Sequence, residues 1–186
     1  MSDLAQIIDD DTLIEFVKLD EFLAVINSEP PSSFIKTHPL AKNVKYIPID
    51  KIELMLAKVF QQTKVEILRE GQLLNSVYAT VRLHYKHPVL KEWAFQDGVG
   101  AAPIQTDKGK SASDIAAIKN DAIMIALPAA ESFAVKDAAE KIGKVFGRDL
   151  NRKDTLGFTP SYDTASTKKR LRDSIAKLNE ESKESS

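Results

Sequence analysis

The chain has 186 residues, a formal net charge of -1, no cysteine and no apolar run near the roughly 18 residues that span a bilayer. That length supports one domain with a real core and a tail. Absence of cysteine excludes disulfides, zinc knuckles, Fe–S clusters and thiol nucleophiles, and the acidic start MSDLAQIIDDD is unlike a secretory signal, so a cytoplasmic address is expected. The near-zero net charge conceals an asymmetry. Residues 1–30 carry eight acids and one lysine, a charge of -7, whereas residues 134–172 carry ten bases and five acids, a charge of +5. Such polarity suits a polyanionic partner for the basic part, or attraction between the two ends of neighbouring subunits.

Residues 12–27, TLIEFVKLDEFLAVIN, read as helix, with Asp20 placed to break it and cap a second short helix before Pro30 and Pro31. The triple Asp9, Asp10, Asp11 reads as a solvated acidic end, because adjacent side chains diverge, and no metal is expected. Residues 34–49, FIKTHPLAKNVKYIPI, mix extended and turn signals, with Lys36, Lys42, Lys45 and Tyr46 as polar and aromatic features. Asp50 is a candidate cap for the helix KIELMLAKVFQQ, whose buried face would be Ile52, Met55, Leu56 and Val59.

The clearest local signal follows. Val77, Ala79, Val81, Leu83 and Tyr85 alternate with Tyr78, Thr80, Arg82 and His84, as in a strand buried on one face. KVEILRE pairs with it through a turn at Glu70 and Gly71, and VLKEWAFQDGVG supplies a third strand ending in glycines, so a three-stranded meander is predicted. His84 and His87 are spaced to point apart, which argues against zinc. Gly98 and Gly100 lack the third glycine of a dinucleotide fingerprint. Gly109, Lys110 and Ser111 lack the leading glycine of a P-loop, whose place is taken by Ile104. The stretch AAPIQTDKGKSASD therefore reads as a polar loop.

Residues 115–127, IAAIKNDAIMIAL, read as buried material leading into a helix that opens at Pro128. Ala130, Ala134, Ala138, Ile142 and Phe146 recur at spacings of three and four, a small-residue face that calls for a close-packed partner. Asp137, Lys141, Lys144 and Arg148 share another face, Gly147 offers a left-handed stop, and Arg152 and Lys153 follow at once. Bases here also answer the helix dipole. Beyond Asp154 lies linker-like sequence, then a charged helix with the narrow stripe Leu171, Ile175 and Leu178. Three parts result: an acidic helical segment 1–30, a core 31–156, and a linker with charged tail 157–186. The fold class expected is α+β, a three-stranded antiparallel meander packed on a long helix with extra terminal helices.

This order resembles the single-strand annealing recombinases of the Rad fifty-two superfamily, including phage Sak-type proteins and, more distantly, Redβ and RecT. The likeness covers roughly residues 35–154 and rests on VYATVRLHYK at 77–86, similar to the family's second strand, and AVKDAAEKIGKVFG at 134–147, similar to its main helix. The resemblance implies ATP-independent binding of single-stranded DNA and annealing of complementary strands in phage-type recombination and repair. It also implies no cofactor, no catalytic residue, and assembly of subunits into a ring or filament that holds the annealed duplex intermediate. Position by position it places DNA contacts at Lys36, Tyr46, Lys141 and Lys144, and the basic turn adds Arg148, Arg152 and Lys153. Glu140 stands where the family carries a further base. A bacterial host cell, for a phage or prophage protein, and a host single-strand-binding partner meeting the tail from Ser166 onward belong to the same expectation. The alternative is an oligomeric assembly protein joined through its oppositely charged ends, without annealing activity.

Overall fold

In the computed structural model the alternation at 77–85 becomes the central strand of a three-stranded antiparallel sheet. The structure describes residues 10–39, 41, 43–110, 115–154, 157, 169 and 173. The expected tail helix with Leu171, Ile175 and Leu178 lies outside these residues. So do Lys42 and the end of the polar loop at 111–114. The fold divides into two units, the larger being Glu29–Thr155. The helix α1 (Asp10–Ile26) belongs to the smaller. It runs unbroken through Asp20, so that residue is interior to a helix and caps nothing. Its C-terminal end is closed by Asn27 Nδ2 and Ser28 Oγ, which donate to the carbonyls of Leu23 and Val25.

The larger unit begins with a small hairpin, β1 (Lys36–Thr37) and β2 (Lys45–Tyr46), paired antiparallel. Helix α2 (Ile49–Phe60) follows. Its N-cap is Pro48; Asp50 sits inside the first turn beside Lys51, so the expected Asp50 cap is not made. Its buried face is Ile52, Met55, Leu56 and Phe60, the last in place of Val59.

The sheet has the order β3 (Thr63–Leu73), β4 (Ser76–Lys86) and β5 (Trp93–Pro103). The first turn lies at Leu74 and Asn75, beyond the expected Glu70 and Gly71. A register shift between Ile67 and Arg69 accompanies the longer β3, and Leu74 takes a positive φ of 53° to reverse the chain. The third strand also differs: β5 starts at Trp93 and continues through Gly98 and Gly100 to Pro103.

Those glycines are the floor on which α3 (Ala122–Ile142) lies. A methyl group at Gly98 would fall 2.1 Å from the Ala134 carbonyl oxygen, and one at Gly100 2.3 Å from that of Ala130. Helix and strand backbones touch here, which only glycine opposite alanine permits. Ala122, Ala126, Ala130, Ala134 and Val135 pack with Val77, Ala79, Val81, Ala102 and Ile104 into one core. The small-residue face thus has the close partner that its composition demanded.

The boundaries of α3 depart from the sequence reading at both ends. Pro128 lies inside the helix, where the missing N–H forfeits the bond to residue 124. The helix starts six residues earlier because AIMIAL is good helical sequence. Within it Ile123, Met124 and Ile125 are exposed, against the expectation of a buried lead-in. At the other end α3 stops at Gly143, in extended backbone; a separate 3-10 turn, Lys144–Phe146, is then closed by Gly147 at φ 108°. Lys144 and Arg148 therefore do not continue the helical stripe of Asp137 and Lys141. Phe146 is fully buried and stacks at 6.1 Å on Phe60, which meets Tyr85 at 4.5 Å, tying the end of α3 to α2 and β4. No helix among the described residues is long and apolar enough to cross a membrane.

Candidate nucleic-acid interface

The hairpin places two sequence-predicted residues directly opposite each other, Lys36 against Tyr46, with Thr37 against Lys45. Lys36 and Lys45 are exposed, while Tyr46 is half-buried. The hairpin is short because its connecting loop turns on its own groups: His38 N–H bonds the Val44 carbonyl, and His38 Nδ1 accepts from Ala41 N–H. The His38 ring meets Tyr46 edge-on at 6.1 Å.

Two long-range contacts seat this hairpin on the end of α3. Ile47, next along the chain, is almost wholly buried, and its Cδ1 approaches Gly147 closely enough that a Cβ there would lie 3.3 Å away. The second is Asn151, whose Oδ1 accepts from Lys45 N–H and whose Nδ2 donates to Lys45 C=O, each at 2.8 Å. Asn151 completes the strand's main-chain pairing with a side chain, in the manner of an added strand. The basic turn 147–154 is thereby fixed beside the hairpin. Lys136 of α3 adds a third component, with Nζ 5.3 Å from the centroid of the Tyr46 ring, a cation–π contact.

Lys36 and Tyr46 share one face of the hairpin, with Lys136 against the Tyr46 ring, while Lys45 alternates to the other face; Arg148, Arg152 and Lys153 lie in the turn that Asn151 ties to the hairpin. Asp149, almost buried, sits between Arg148 at 3.9 Å and Arg152 at 3.5 Å and orients the two guanidinium groups. Arg152 is 64% exposed, so its pairing leaves much of the guanidinium open to solvent. On α3 Glu140 lies 3.9 Å from Lys136. Burial pushes its carboxyl above the usual carboxylate range, with Lys136 opposing and Asp137 adding to the rise.

Lys141 and Lys144 are differently employed. Lys141 Nζ bonds Asp137 Oδ2 at 2.7 Å and the Asp97 carbonyl at 3.0 Å, while the same Asp137 oxygen accepts from Val99 N–H. This clamps the last turn of α3 to β5. Lys144 is only 12% exposed and pairs with Glu29. Lys144 thus serves inside the fold and Lys141 is engaged at its surface, whereas Lys36, Arg152 and Lys153 are exposed. Sequence reasoning missed Asn151 and Lys136 as site residues. Nothing in a sequence links Asn151 to a strand 106 positions away; Lys136 could have been found from its helical spacing to Glu140.

His84 and His87 are structural. His84 Nε2 bonds Glu66 Oε2 at 2.9 Å, while His87 Nδ1 accepts from the N–H groups of Val89 and Leu90 and closes the turn before β5. Among the described residues no group of three or more His, Asp or Glu is placed to hold a metal ion. No family model matches the chain, and no curated protein is significantly similar to it.

Proposed function

We propose that this protein binds single-stranded DNA without sequence preference and anneals complementary strands without ATP, as in phage-type recombination and repair. The observation that carries this reading is the seating of the Lys36–Tyr46 hairpin against the basic turn by Asn151. It brings the hairpin and the basic turn, both rich in lysine and arginine, next to each other, with the Tyr46 ring and Lys136 of α3 beside them. Such a grouping suits a sugar-phosphate backbone, which lysines and arginines neutralise with release of counterions. Phosphate contacts of this kind leave base edges outward to test a second strand. The annealed duplex intermediate is the product held before release.

Assembly of copies belongs to the same proposal, since a ring or filament multiplies a grouping that is small in one chain. The support is apolar: Val65, Ile67 and Leu68 on the edge strand β3 and Met124, Ile125 and Phe133 on α3 are all at least two-fifths exposed. A cytoplasmic setting in a bacterial host, and contact with a host single-strand-binding protein, extend the reading without adding residues to it.

The deciding experiment follows the annealing of two complementary dye-labelled oligonucleotides, without nucleotide, at low and moderate salt. Acceleration that fades with salt is expected, and it is expected to fall at least tenfold in the Lys36→Glu, Lys45→Glu double variant. These two positions are chosen over Lys141 and Lys144 because their side chains hold nothing in the fold. A folded protein that gives no acceleration at any concentration overturns the reading. The competing assembly reading rests on the oppositely charged segments 1–30 and 134–172; oligomers that dissociate with salt and show no nucleic-acid binding would establish it.

A further inference from the structure

The face of the sheet turned away from α3 is a second, separate surface. Strand alternation puts Tyr78, Thr80, Arg82, His84 and Lys86 of β4 there, opposite Ala101, Val99, Asp97, Phe95 and Trp93 of β5. Lys64 of β3 flanks His84, and Glu66 flanks Arg82. Trp93 is 56% and Phe95 55% exposed. Two large rings so open to water on neighbouring same-face positions call for an occupant. The face continues along a shallow depression of about 230 Å3 lined by Tyr78, Thr80, Val99 and Ala101.

The charges of this face decide which occupant fits. Its two acids are already engaged within it: Asp97 accepts from Nε and Nη2 of Arg82, at 2.7 and 2.9 Å, and Glu66 pairs with His84. The Arg82 guanidinium also lies 4.1 Å from the Phe95 ring centroid, a cation–π contact. Lys86 stands opposite Trp93 and Lys64 lies one strand beyond His84 from Phe95, so with both acids engaged the balance of the face is positive. A second copy docked face to face would bring two faces of the same positive balance together. A partner with negative charge and flat apolar surfaces meets no such penalty.

We propose that this outer face is a stacking platform for single-stranded nucleic acid, with Trp93 and Phe95 each taking one base and Lys64 and Lys86 holding the phosphates between. Two residues along a strand separate the rings by about 7 Å, twice the ~3.4 Å rise of one strand in a duplex. The platform therefore takes a strand only when its bases are drawn apart, and rejects paired duplex. It shares no residue with the hairpin site and stands or falls independently of it.

Trp93 is the only tryptophan in the chain, so its fluorescence reports this face alone. Titration of the whole protein with a thymidine oligonucleotide is expected to quench the emission to a plateau. An abasic oligonucleotide of the same length, or a duplex, is expected to leave it unchanged. Phe95→Leu, which keeps an apolar strand residue but removes the ring, is expected to weaken the quenching titration about tenfold, within the range for one lost base–aromatic stack. The Lys36→Glu, Lys45→Glu protein is expected to keep the quenching even where annealing is lost. Absence of quenching, equal quenching by the abasic strand, or a blue shift that grows with protein concentration alone would each overturn the platform, the last by giving the face to a second copy.

Discussion

The side-chain amide of Asn151 makes both main-chain hydrogen bonds of Lys45, as donor to its carbonyl and acceptor from its N–H, each at 2.8 Å. One residue in the turn beyond α3 thus fixes the position of a hairpin 106 residues earlier. Replacement by Ala removes two bonds that, at about 0.5–1.5 kcal/mol each, are worth about 1–3 kcal/mol together. Asn151→Ala is expected to lower stability by that amount in urea unfolding. Affinity for single-stranded DNA is expected to drop more than the removal of one uncharged side chain would suggest, because Lys36, Lys45 and Tyr46 lose their register with Arg152 and Lys153. Unchanged affinity in anisotropy titrations would show that the hairpin needs no tether.

Gly98 offers the sharpest test of the fold. A Cβ there meets the Ala134 carbonyl oxygen at 2.1 Å and the Ala138 nitrogen at 2.5 Å, both backbone atoms that cannot swing aside. Gly98→Ala forces α3 off β5 and strains the Asp137–Val99 and Lys141–Asp97 bonds that close its last turn. A loss of at least about 3 kcal/mol is expected, the upper end for overpacking a core, seen as a large fall in Tm. Gly157→Ala is the contrasting control, since nothing stands within 4 Å of a Cβ there and its φ lies outside the left-handed region.

The fold was legible where pattern is local. Alternation at 77–85 announced β4, and the alanine spacing from 130 to 138 announced a helix needing a close partner. That the partner would be Gly98 and Gly100 was hidden, because these glycines suggest a loop until a helix is laid across them. The ends of α3 were misread for the same reason: Pro128 and Gly147 are punctuation in sequence, but tertiary packing carried the helix past one and stopped it before the other. At the site, the opposition of Lys36 and Tyr46 follows from a hairpin too short for any periodicity to declare. Lys144 read as surface charge because Glu29, which engages it, is distant in the chain, whereas the Asp137–Lys141 pair is local and its tie to the Asp97 carbonyl is not.

His87 should give the structure a mildly acid-sensitive turn. Its Nδ1 accepts two backbone N–H bonds, which requires the unprotonated nitrogen. Burial holds its pKa below the ordinary value of 6.5, against the opposing charge of Glu92. A histidine depressed on folding contributes stability that is present above pH 6.5 and is lost as pH falls through the folded value. Thermal stability is therefore expected to decline below about pH 6.5, and the decline should be reduced in His87→Asn, which can still accept from the same amides. An identical pH profile in the two proteins would assign the acid loss to other groups.

Glu140 works in the opposite sense, and its replacement should help both stability and binding. It lies on α3 within 3.9 Å of Lys136, whose Nζ covers the Tyr46 ring. Burial raises its pKa on folding, so the folded protein binds its proton more tightly than the unfolded chain does. Stability is then lost, not gained, as pH rises from the ordinary carboxylate value through the folded one. Glu140→Gln keeps the shape and removes that cost. Its Tm is expected to exceed that of the parent at pH 7–8, on the scale of the roughly 2–4 °C that 1 kcal/mol produces in a chain of this size. The two proteins should converge near pH 4, where the parent carboxyl is protonated. Removing a negative charge beside Lys136 should also tighten binding to single-stranded DNA, most visibly at low salt, where the screening length exceeds about 10 Å. Gain in Tm without gain in affinity would keep Glu140 as a buried, strained acid and move the DNA path away from the Tyr46–Lys136 pair.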